Sequence, residues 1–237
     1  MDKTAALEAI YRFYDDFLEG FSIACEKGCH VCCTNSVSST SLEVAYLIEG
    51  VSRMGSGGEE LVKRAEAMRA EPHFQPSTTI NTSAALCMKG KEIPEETSPM
   101  SFDPCPFLSE QGLCSLYEWR PFACRAMSSS SVCVEGGEAR MEPFLVTVNL
   151  ALYQILEHID RDGFYGNVLD LLPVVAGRMS PAQAGEAIKT NRALNCFIVP
   201  PDETVRFKSF MRRLSKVEAG SGATIGELLP EDWAILS

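Results

Sequence analysis

Histidine, basic clusters and long apolar runs are all scarce in this sequence. The chain of 237 residues holds only 3 histidines, and its 32 Asp and Glu against 21 Lys and Arg give a formal net charge of −11. Nucleic acids and anionic membranes attract clustered Lys and Arg, so this balance argues against either as the main partner. The best apolar stretch, Phe144 to Leu156, is interrupted by Thr147, Asn149 and Gln154. It is too short and too polar to span a bilayer, so we expect no membrane segment.

The N-terminal residues also lack the features of a secretory signal peptide. No basic segment is followed there by a continuous apolar run; the first residues lead directly into an amphipathic stretch. We therefore expect a cytoplasmic protein. Thiols stay reduced in that compartment, so a cysteine-rich chain there binds metal more often than it forms disulfides. Disulfides would become the expectation only if a signal peptide had been removed.

Cysteine is the residue that is unusually abundant, with ten in the chain. Two of them, Cys87 and Cys196, are isolated in the sequence, and an isolated cysteine is usually a small buried apolar residue. Cys87 is also a candidate ligand at an open site. The other eight form two clusters, and four cysteines within nine residues are not explained by burial alone. We predict that these eight bind metal as thiolates: Cys25, Cys29, Cys32, Cys33, Cys105, Cys114, Cys124 and Cys133.

The spacing in the first cluster suits metal coordination. The two-residue gap between Cys29 and Cys32 lets a tight turn aim two thiolates at one metal, as zinc knuckles and iron–sulfur loops do. Adjacent Cys32 and Cys33 would point to opposite sides of an extended segment, whereas a helix would gather all four sulfurs of the cluster within an arc of roughly 100°. Gly28 argues against a regular helix. The spacing therefore leaves open whether there are one or two centres.

Four thiolates around Zn²⁺ or a [4Fe–4S]²⁺ core leave a net charge of about −2. Arg120 and Arg125 flank Cys124 and are candidates to offset that charge, with a solvated surface as the alternative role. His30 is crowded by cysteines on both sides, and we interpret it as a loop residue rather than a ligand.

The hydrophobic pattern predicts a mainly α fold, because apolar residues recur at steps of three and four while alternating patterns are scarce. Predicted helices cover residues 4–24, a segment after the capping box Thr40–Glu43, and residues 59–70, 143–159, 166–177, 180–193 and 202–215. Residues 71–104 are rich in Pro, Ser and Thr and are predicted to be irregular. Short strands are predicted at 113–117 and 196–199. We predict one domain over residues 1–237, with a cysteine core at 20–135, a helical part at 140–237, and irregular cysteine-bearing loops around a metal or Fe–S site.

The cysteine motifs resemble those of a known family. The run CEKGCHVCC at residues 25–33 resembles the opening motif of the CxxCxxCC proteins, also called the YkgJ-type cysteine cluster family. Residues 105–125 resemble the second motif, and Cys133 lies where members commonly have one more cysteine. The family is described as zinc- or iron-chelating, and a bacterial flagellin lysine methylase shares the cysteine domain. The resemblance therefore implies a bacterial cytoplasmic protein that binds zinc or an Fe–S cluster, with a [4Fe–4S] cluster favoured. It does not imply a defined reaction.

The chain departs from the family pattern at Cys25. Three residues lie between Cys25 and Cys29, whereas the family pattern has two. This spacing leaves open whether Cys25 ligates the same centre as the other three cysteines of its cluster.

Three kinds of function remain open at this point. The first is a metal-binding protein, with an Fe–S cluster favoured over zinc mainly because of the family. The second is an enzyme, either resembling the lysine methylase or using the C-x3-C-x2-C spacing of radical S-adenosylmethionine enzymes; Val31 and the lack of alternating β and α segments argue against the latter. The third is a structural zinc module whose acidic C-terminal helices bind a protein partner.

Overall fold

The computed structural model describes residues 2–26, 28–134, 138–220 and 222–233. Helices predominate in these residues, which agrees with the mainly α prediction. No helix among them is both long and apolar enough to cross a lipid bilayer. The helices are α1 (Lys3–Leu18), α2 (Ser41–Arg53), α3 (Ser56–Arg69), α4 (Ile80–Met88), α5 (Phe122–Ala126), α6 (Pro143–Ile159), α7 (Val168–Val175), α8 (Pro181–Ala184), α9 (Thr204–Leu214) and α10 (Ile225–Leu228).

Three short strands form one antiparallel sheet in the described part of the chain. They are β1 (Ser38–Thr40), β2 (Phe164–Asn167) and β3 (Ile188–Thr190), in the order β1-β2-β3. Residues 38–40 pair with 165–167, and 164–166 pair with 188–190. The sheet therefore joins the first cysteine segment to the C-terminal half of the chain.

Local signals in the sequence correctly located the starts of two helices. Thr40 Oγ1 accepts from the Glu43 N–H (3.3 Å) and Glu43 Oε2 accepts from the Thr40 N–H (2.9 Å), which is the predicted capping box of α2. Pro143 occupies the first turn of α6, as its fixed φ favours.

Several boundaries differ from the predictions. The segment 71–104 is not irregular throughout, because it contains α4. The helix predicted over 180–193 covers only α8 and a 3-10 turn, since Gly185 adopts φ +58° and the chain then enters β3. Neither predicted strand forms: residues 113–117 make only an isolated bridge at Cys114 before the 3-10 turn at 117–119, and residues 196–199 have no regular secondary structure.

Two apolar clusters support the cysteine loops. The larger is built mainly from α1, α6 and α9 and includes Leu7, Leu152 and Phe207. The smaller lies between α2, α3 and α7 and also contains Phe107 and Leu116, which belong to the second cysteine segment. Cys105 and Cys114 pack against this smaller cluster. The second segment is thus held on α2, α3 and α7 by its own apolar side chains.

A buried histidine connects α7 with the segment that follows α3. The ring nitrogens of His73 face the Glu71 carbonyl (2.8 Å) and Asp170 Oδ2 (2.9 Å), and Arg69 Nε donates to Asp170 Oδ1 (3.2 Å). Both groups that face the ring are acceptors, so only the imidazolium form donates to both. The hydrogen bond to Asp170 raises the pKa of His73 above its ordinary value, against the opposing effects of burial and Arg69.

Replacing His73 by glutamine is expected to weaken the fold most in acid. Because the folded pKa is raised, the contribution of His73 is complete below the ordinary histidine pKa of about 6.5 and is lost as the pH rises through the folded value. Chemical denaturation at several pH values would give the difference in unfolding free energy between wild type and His73→Gln. That difference should shrink as the pH rises, and a constant difference would contradict the assignment.

Candidate metal centre

Two tight turns shape the first cysteine segment. The backbone N–H of Cys29 donates to the Glu26 carbonyl (3.0 Å), and that of Cys33 donates to the His30 carbonyl (2.9 Å). Gly28 lies in the first of these turns at φ +94°, a left-handed conformation that residues with a Cβ rarely adopt. The segment is therefore neither a helix nor an extended strand.

The thiols of the adjacent residues Cys32 and Cys33 influence each other. A hydrogen bond from the Cys33 thiol lowers the pKa of Cys32 to about 6 and raises the pKa of Cys33. Burial and the neighbouring Cys124 and Cys105 raise the pKa of Cys33 further. An extended backbone would have separated the two sulfurs. The turn instead brings both of them to the second cysteine segment.

Backbone pairing joins the two cysteine segments. The N–H of Cys105 donates to the Cys33 carbonyl (3.0 Å), and the N–H of Asn35 donates to the Asp103 carbonyl (2.9 Å). An antiparallel bridge between Thr34 and Pro104 lies between these two hydrogen bonds. Cysteines separated by 72 residues in the sequence thus become neighbours.

A hairpin places Cys114 beside Cys105. Leu108 and Cys114 form an antiparallel bridge. The turn contains Gly112 at φ +72°, and a Cβ at this glycine would lie 2.7 Å from His30 Nδ1. His30 is exposed, and its Nδ1 lies 2.8 Å from the Gly28 carbonyl. The exposed His30 ring therefore lies against the turn at Gly112.

Cys124 is the most enclosed of the clustered thiols. It lies in α5, whose first N–H, that of Phe122, donates to the buried Glu43 Oε1 (2.7 Å) on α2. Burial raises the pKa of Cys124, and the thiols of Cys105 and Cys114 raise it further. A thiolate at this position is therefore costly unless a cation lies beside it.

Backbone pairing brings the segment before Cys133 close to Cys25. The N–H of Ala24 donates to the Ser129 carbonyl (2.8 Å), which brings the chain before Cys133 alongside Cys25. Burial raises the pKa of Cys25, a backbone hydrogen bond from Ser129 lowers it, and Cys29 and Cys133 raise it. The last cysteine of the second cluster is therefore near the first cysteine of the first cluster.

The eight thiols thus divide into two groups that touch at the Cys32–Cys33 contact. In the part of the chain that the structure describes, no three Cys, His, Asp or Glu side chains are arranged so that they could hold a metal ion. A metal would have to draw the sulfurs closer together. We call the half-buried set around Cys124 the inner group (Cys33, Cys105, Cys114 and Cys124) and the set around Cys25, most of which is exposed, the outer group (Cys25, Cys29, Cys32 and Cys133).

Buried hydrogen-bond donors surround the inner group. Among the described residues, Asn35 Nδ2, Arg64 Nε and Arg120 Nε are buried and have no hydrogen-bond partner. Asn35 lines a small cavity of about 30 Å³ together with Cys105 and Cys124. Burial raises the pKa of these two thiols, and Arg64 and Arg120 respectively oppose that rise. Buried donors without acceptors cost free energy, and the sulfurs of a metal centre would supply the acceptors.

Of the two arginines singled out in the sequence, only Arg120 faces the thiols. Arg125 donates to Asp15 Oδ2 (3.1 Å) and to the Glu118 carbonyl (2.6 Å), and its guanidinium lies over the Tyr11 ring (4.2 Å). It therefore fastens α5 to α1. Asn35 and Arg64 were not among the predicted site residues, because neither lies in a cysteine motif.

A mainly helical protein whose loops bring eight cysteines together beside unpaired buried donors has the features of a thiolate metal-binding protein. The chain belongs to the CxxCxxCC family: the family model, described as a "putative zinc- or iron-chelating domain", matches residues 24–142, half of the chain. This finding confirms the resemblance found in the motifs. No curated protein and no solved structure shows significant similarity to the chain.

Proposed function

We propose that this protein binds an iron–sulfur cluster of the [4Fe–4S] type through cysteine thiolates of the inner group. The observation that carries the proposal is the set of four thiols from both cysteine segments next to three buried N–H donors without partners. The donor set is all sulfur, which suits Fe–S clusters and structural zinc. Asn35, Arg64 and Arg120 would orient and hydrogen-bond the sulfurs.

The number of hydrogen-bond donors beside the thiols favours an Fe–S cluster over a single zinc ion. A [4Fe–4S] core brings bridging sulfides in addition to four thiolates, and hydrogen bonds to these sulfurs are a main control of cluster potential. The guanidinium groups of Arg64 and Arg120 would balance the charge of about −2 that four thiolates leave on either metal centre. Zinc in the same thiolate set, as the core of an interaction module, is the competing proposal.

Metal and sulfide analysis of protein purified without oxygen separates these possibilities. We expect iron and acid-labile sulfide in about equal amounts, and a brown protein whose visible absorption bleaches on reduction. Stoichiometric zinc with no iron, in a colourless protein, would overturn the Fe–S proposal. A cytoplasmic location is part of the proposal, because reduced thiols are needed to load either metal.

The outer group is proposed as a second ligand set with greater access to solvent. Cys25, Cys29 and Cys32 are exposed, and Cys133 is half-buried. The cysteines of the outer group come from the two ends of the cysteine region. A metal bound by them would therefore close the loops over the inner group. Cys32 also touches Cys33, which couples the two sets.

Serine at Cys25 and serine at Cys133 should have the same effect on metal content. We expect each variant to lose the same fraction of metal, and less than a variant of the inner group, because each removes one ligand from the same exposed set. Metal per chain, measured after gel filtration, checks this. Wild-type metal content in both variants would remove the outer group from the ligand set.

An open cleft beside the outer group supports an enzyme as the second candidate. The cleft has a volume of about 520 Å³ and is lined by residues that include Phe21, Ser129, Glu142 and Arg206. Glu142 Oε1 accepts from Arg206 (2.9 Å), whereas Oε2 is buried and has no partner among the described residues. A substrate ammonium, such as that of lysine, would supply the missing donor. Serine-lined walls next to Cys25 would place such a substrate near the metal.

A methyl-transfer assay tests this second candidate. The metal-loaded protein would be incubated with S-adenosylmethionine and a lysine-rich protein, and methyl-lysine would be sought by mass spectrometry. Methylation in wild type that is lost in Glu142→Gln is the expected result of a lysine-methylase-like enzyme. No methyl-lysine in either sample would leave metal binding as the proposed function and remove the methylase.

A further inference from the structure

Helix α9 and the turn after it carry an uninterrupted basic surface in an acidic protein. Residues 204–217 contain none of the 32 acidic residues of the chain. They contain five exposed basic residues: Arg206, Lys208, Arg212, Arg213 and Lys216. The apolar side of α9, which includes Phe207 and Leu214, is buried in the larger apolar cluster, so the basic side faces solvent. In contrast to the acidic C-terminal helices expected for an interaction module, α9 is therefore basic.

Two of the five cations attach α9 to its neighbours. Arg206 donates to Glu142 Oε1 (2.9 Å), and its guanidinium carbon lies 4.1 Å from the centroid of the Phe144 ring on α6. The guanidinium carbon of Arg213 lies 5.7 Å from the centroid of the Phe13 ring on α1. Because both guanidinium groups already have partners in the fold, they are not the main candidates for contact with another molecule.

The other three cations form a row on the outward side of α9. Lys208, Arg212 and Lys216 are spaced four residues apart, which places their side chains on successive turns of one face. Lys216 lies just past the helix, where its N–H donates to the Arg213 carbonyl (3.2 Å) and the chain continues as a turn. Within the residues that the structure describes, none of the three forms an ion pair. Like charges at this spacing repel each other, and a bound anion would remove that repulsion. We call these three residues the basic row.

The ends of the basic row limit the size of an anionic partner. At the helical rise, the distance from Lys208 to Lys216 is about 12 Å. Asp202 before α9 and Glu218 after it are exposed, and they would repel an anion that ran further along the helix axis. Val205, which is 83% exposed, precedes Lys208 by three residues and adds an apolar surface at one end of the row.

We propose that the basic row is the docking site for an acidic segment of another protein. Three carboxylates on one face of a partner helix, repeating every three or four residues, have the spacing of the row. An apolar side chain one turn away on the same partner would rest on Val205. A protein segment makes such a contact, whereas the phosphates of a nucleic acid do not.

The charge of the rest of the chain disfavours nucleic acid and anionic membranes. All 32 acidic residues lie outside the segment 204–217, together with only 16 of the 21 basic residues. A nucleic acid or a membrane surface extends well beyond the basic row and would meet this acidic majority. Charges in physiological salt interact over about 8 Å, so a short segment bound at the row responds mainly to the row itself.

Peptide binding to the full-length, metal-loaded protein tests the proposal. The probe is a short fluorescein-labelled poly-L-glutamate, and fluorescence anisotropy gives its affinity at several salt concentrations. We expect binding that weakens as the salt concentration rises. Charge reversal of the row (Lys208→Glu, Arg212→Glu and Lys216→Glu together) should lower the affinity by at least about tenfold, because three attractions become repulsions.

The matched control reverses three lysines elsewhere on the surface, Lys63→Glu, Lys89→Glu and Lys91→Glu together. These lysines are also exposed and the net charge changes by the same amount, but they lie outside α9. The affinity of this variant is expected to stay within about twofold of wild type. If circular dichroism showed that the reversal variant had lost its fold, alanine at the three positions of the row would replace glutamate, since alanine is the strongest helix former.

Three results would overturn the proposal. One is equal affinity for poly-L-glutamate in wild type and in the reversal variant. The second is tighter binding of wild type to a single-stranded oligonucleotide, or to phosphatidylglycerol vesicles, than to poly-L-glutamate. The third is a dimer in gel filtration that the reversal variant lacks, since the occupant would then be a second copy of this chain. The basic row lies outside the inner and outer groups, so none of these results depends on the proposed Fe–S function.

Discussion

Replacing Cys124 by serine is expected to remove most of the bound metal. Cys124 is the enclosed member of the inner group, next to Cys105 and Cys114, and serine is not a thiolate ligand. Thiolate metal centres contribute on the order of 10 kcal/mol to the folded state of small domains, so loss of one ligand also lowers the melting temperature. Metal per chain, visible absorption and thermal unfolding would be measured on protein purified without oxygen.

Cys196→Ser is the matched control for this experiment. It makes the same atomic change at a half-buried cysteine that lies outside both groups. Wild-type metal content is expected in Cys196→Ser. If Cys124→Ser also kept wild-type metal while remaining folded, the inner group would not be the ligand set.

Replacing Glu43 by glutamine is expected to be the most destabilising single change outside the cysteines. The buried carboxylate accepts from the Tyr11 hydroxyl (2.9 Å), the Phe122 N–H (2.7 Å) and the Thr40 N–H (2.9 Å), and also from the hydroxyls of Thr40 and Ser39. In glutamine an NH2 group replaces one carboxylate oxygen. This group would face N–H and O–H donors and could not accept their hydrogen bonds. Because hydrogen bonds to a charged group contribute about 1.5–3 kcal/mol each, we expect a loss of about 3–5 kcal/mol in unfolding free energy.

Thermal and chemical denaturation would measure this loss, which corresponds to a fall in melting temperature of roughly 2–4 °C per kcal/mol for a chain of this size. Glu49→Gln is the control on the same helix, because Glu49 is exposed and, among the residues that the structure describes, forms its ion pair with Arg53 one turn later. That change should cost less than about 0.5 kcal/mol. A similar cost for the two variants would show that the Glu43 network does not hold α5 and Cys124.

The sequence could predict the cysteine motifs and much of the helical framework because both depend on neighbouring residues. The capping box at Thr40 and Glu43 satisfies helix donors within one turn, and Pro143 needs only its own φ. The sequence of α4, INTSAALCM, carries no clear apolar period, so this helix was missed. The three strands were missed because segments of three or four residues are too short to show alternation.

The candidate site could be predicted only as a set of cysteines. Its division into two groups comes from backbone pairing between Thr34 and Pro104 and between Ala24 and Ser129, which joins residues about 70 to 105 positions apart. No periodicity specifies such long-range partners. The same holds for the donors: Asn35 and Arg64 become part of the site only when the second segment packs on α2, α3 and α7.

The sequence by itself determined the mainly α class, the family and the eight thiols, because residue type and short spacing are local properties. Tertiary structure alone decided which thiols are neighbours and which arginine faces them. The physical reason is that the charge state of a thiol depends on its burial and on the charges that lie near it in space. Its position in the chain does not determine either of these. Arg120 and Arg125 both flank Cys124, yet only the packing of Arg125 against Asp15 and Tyr11 separates their roles.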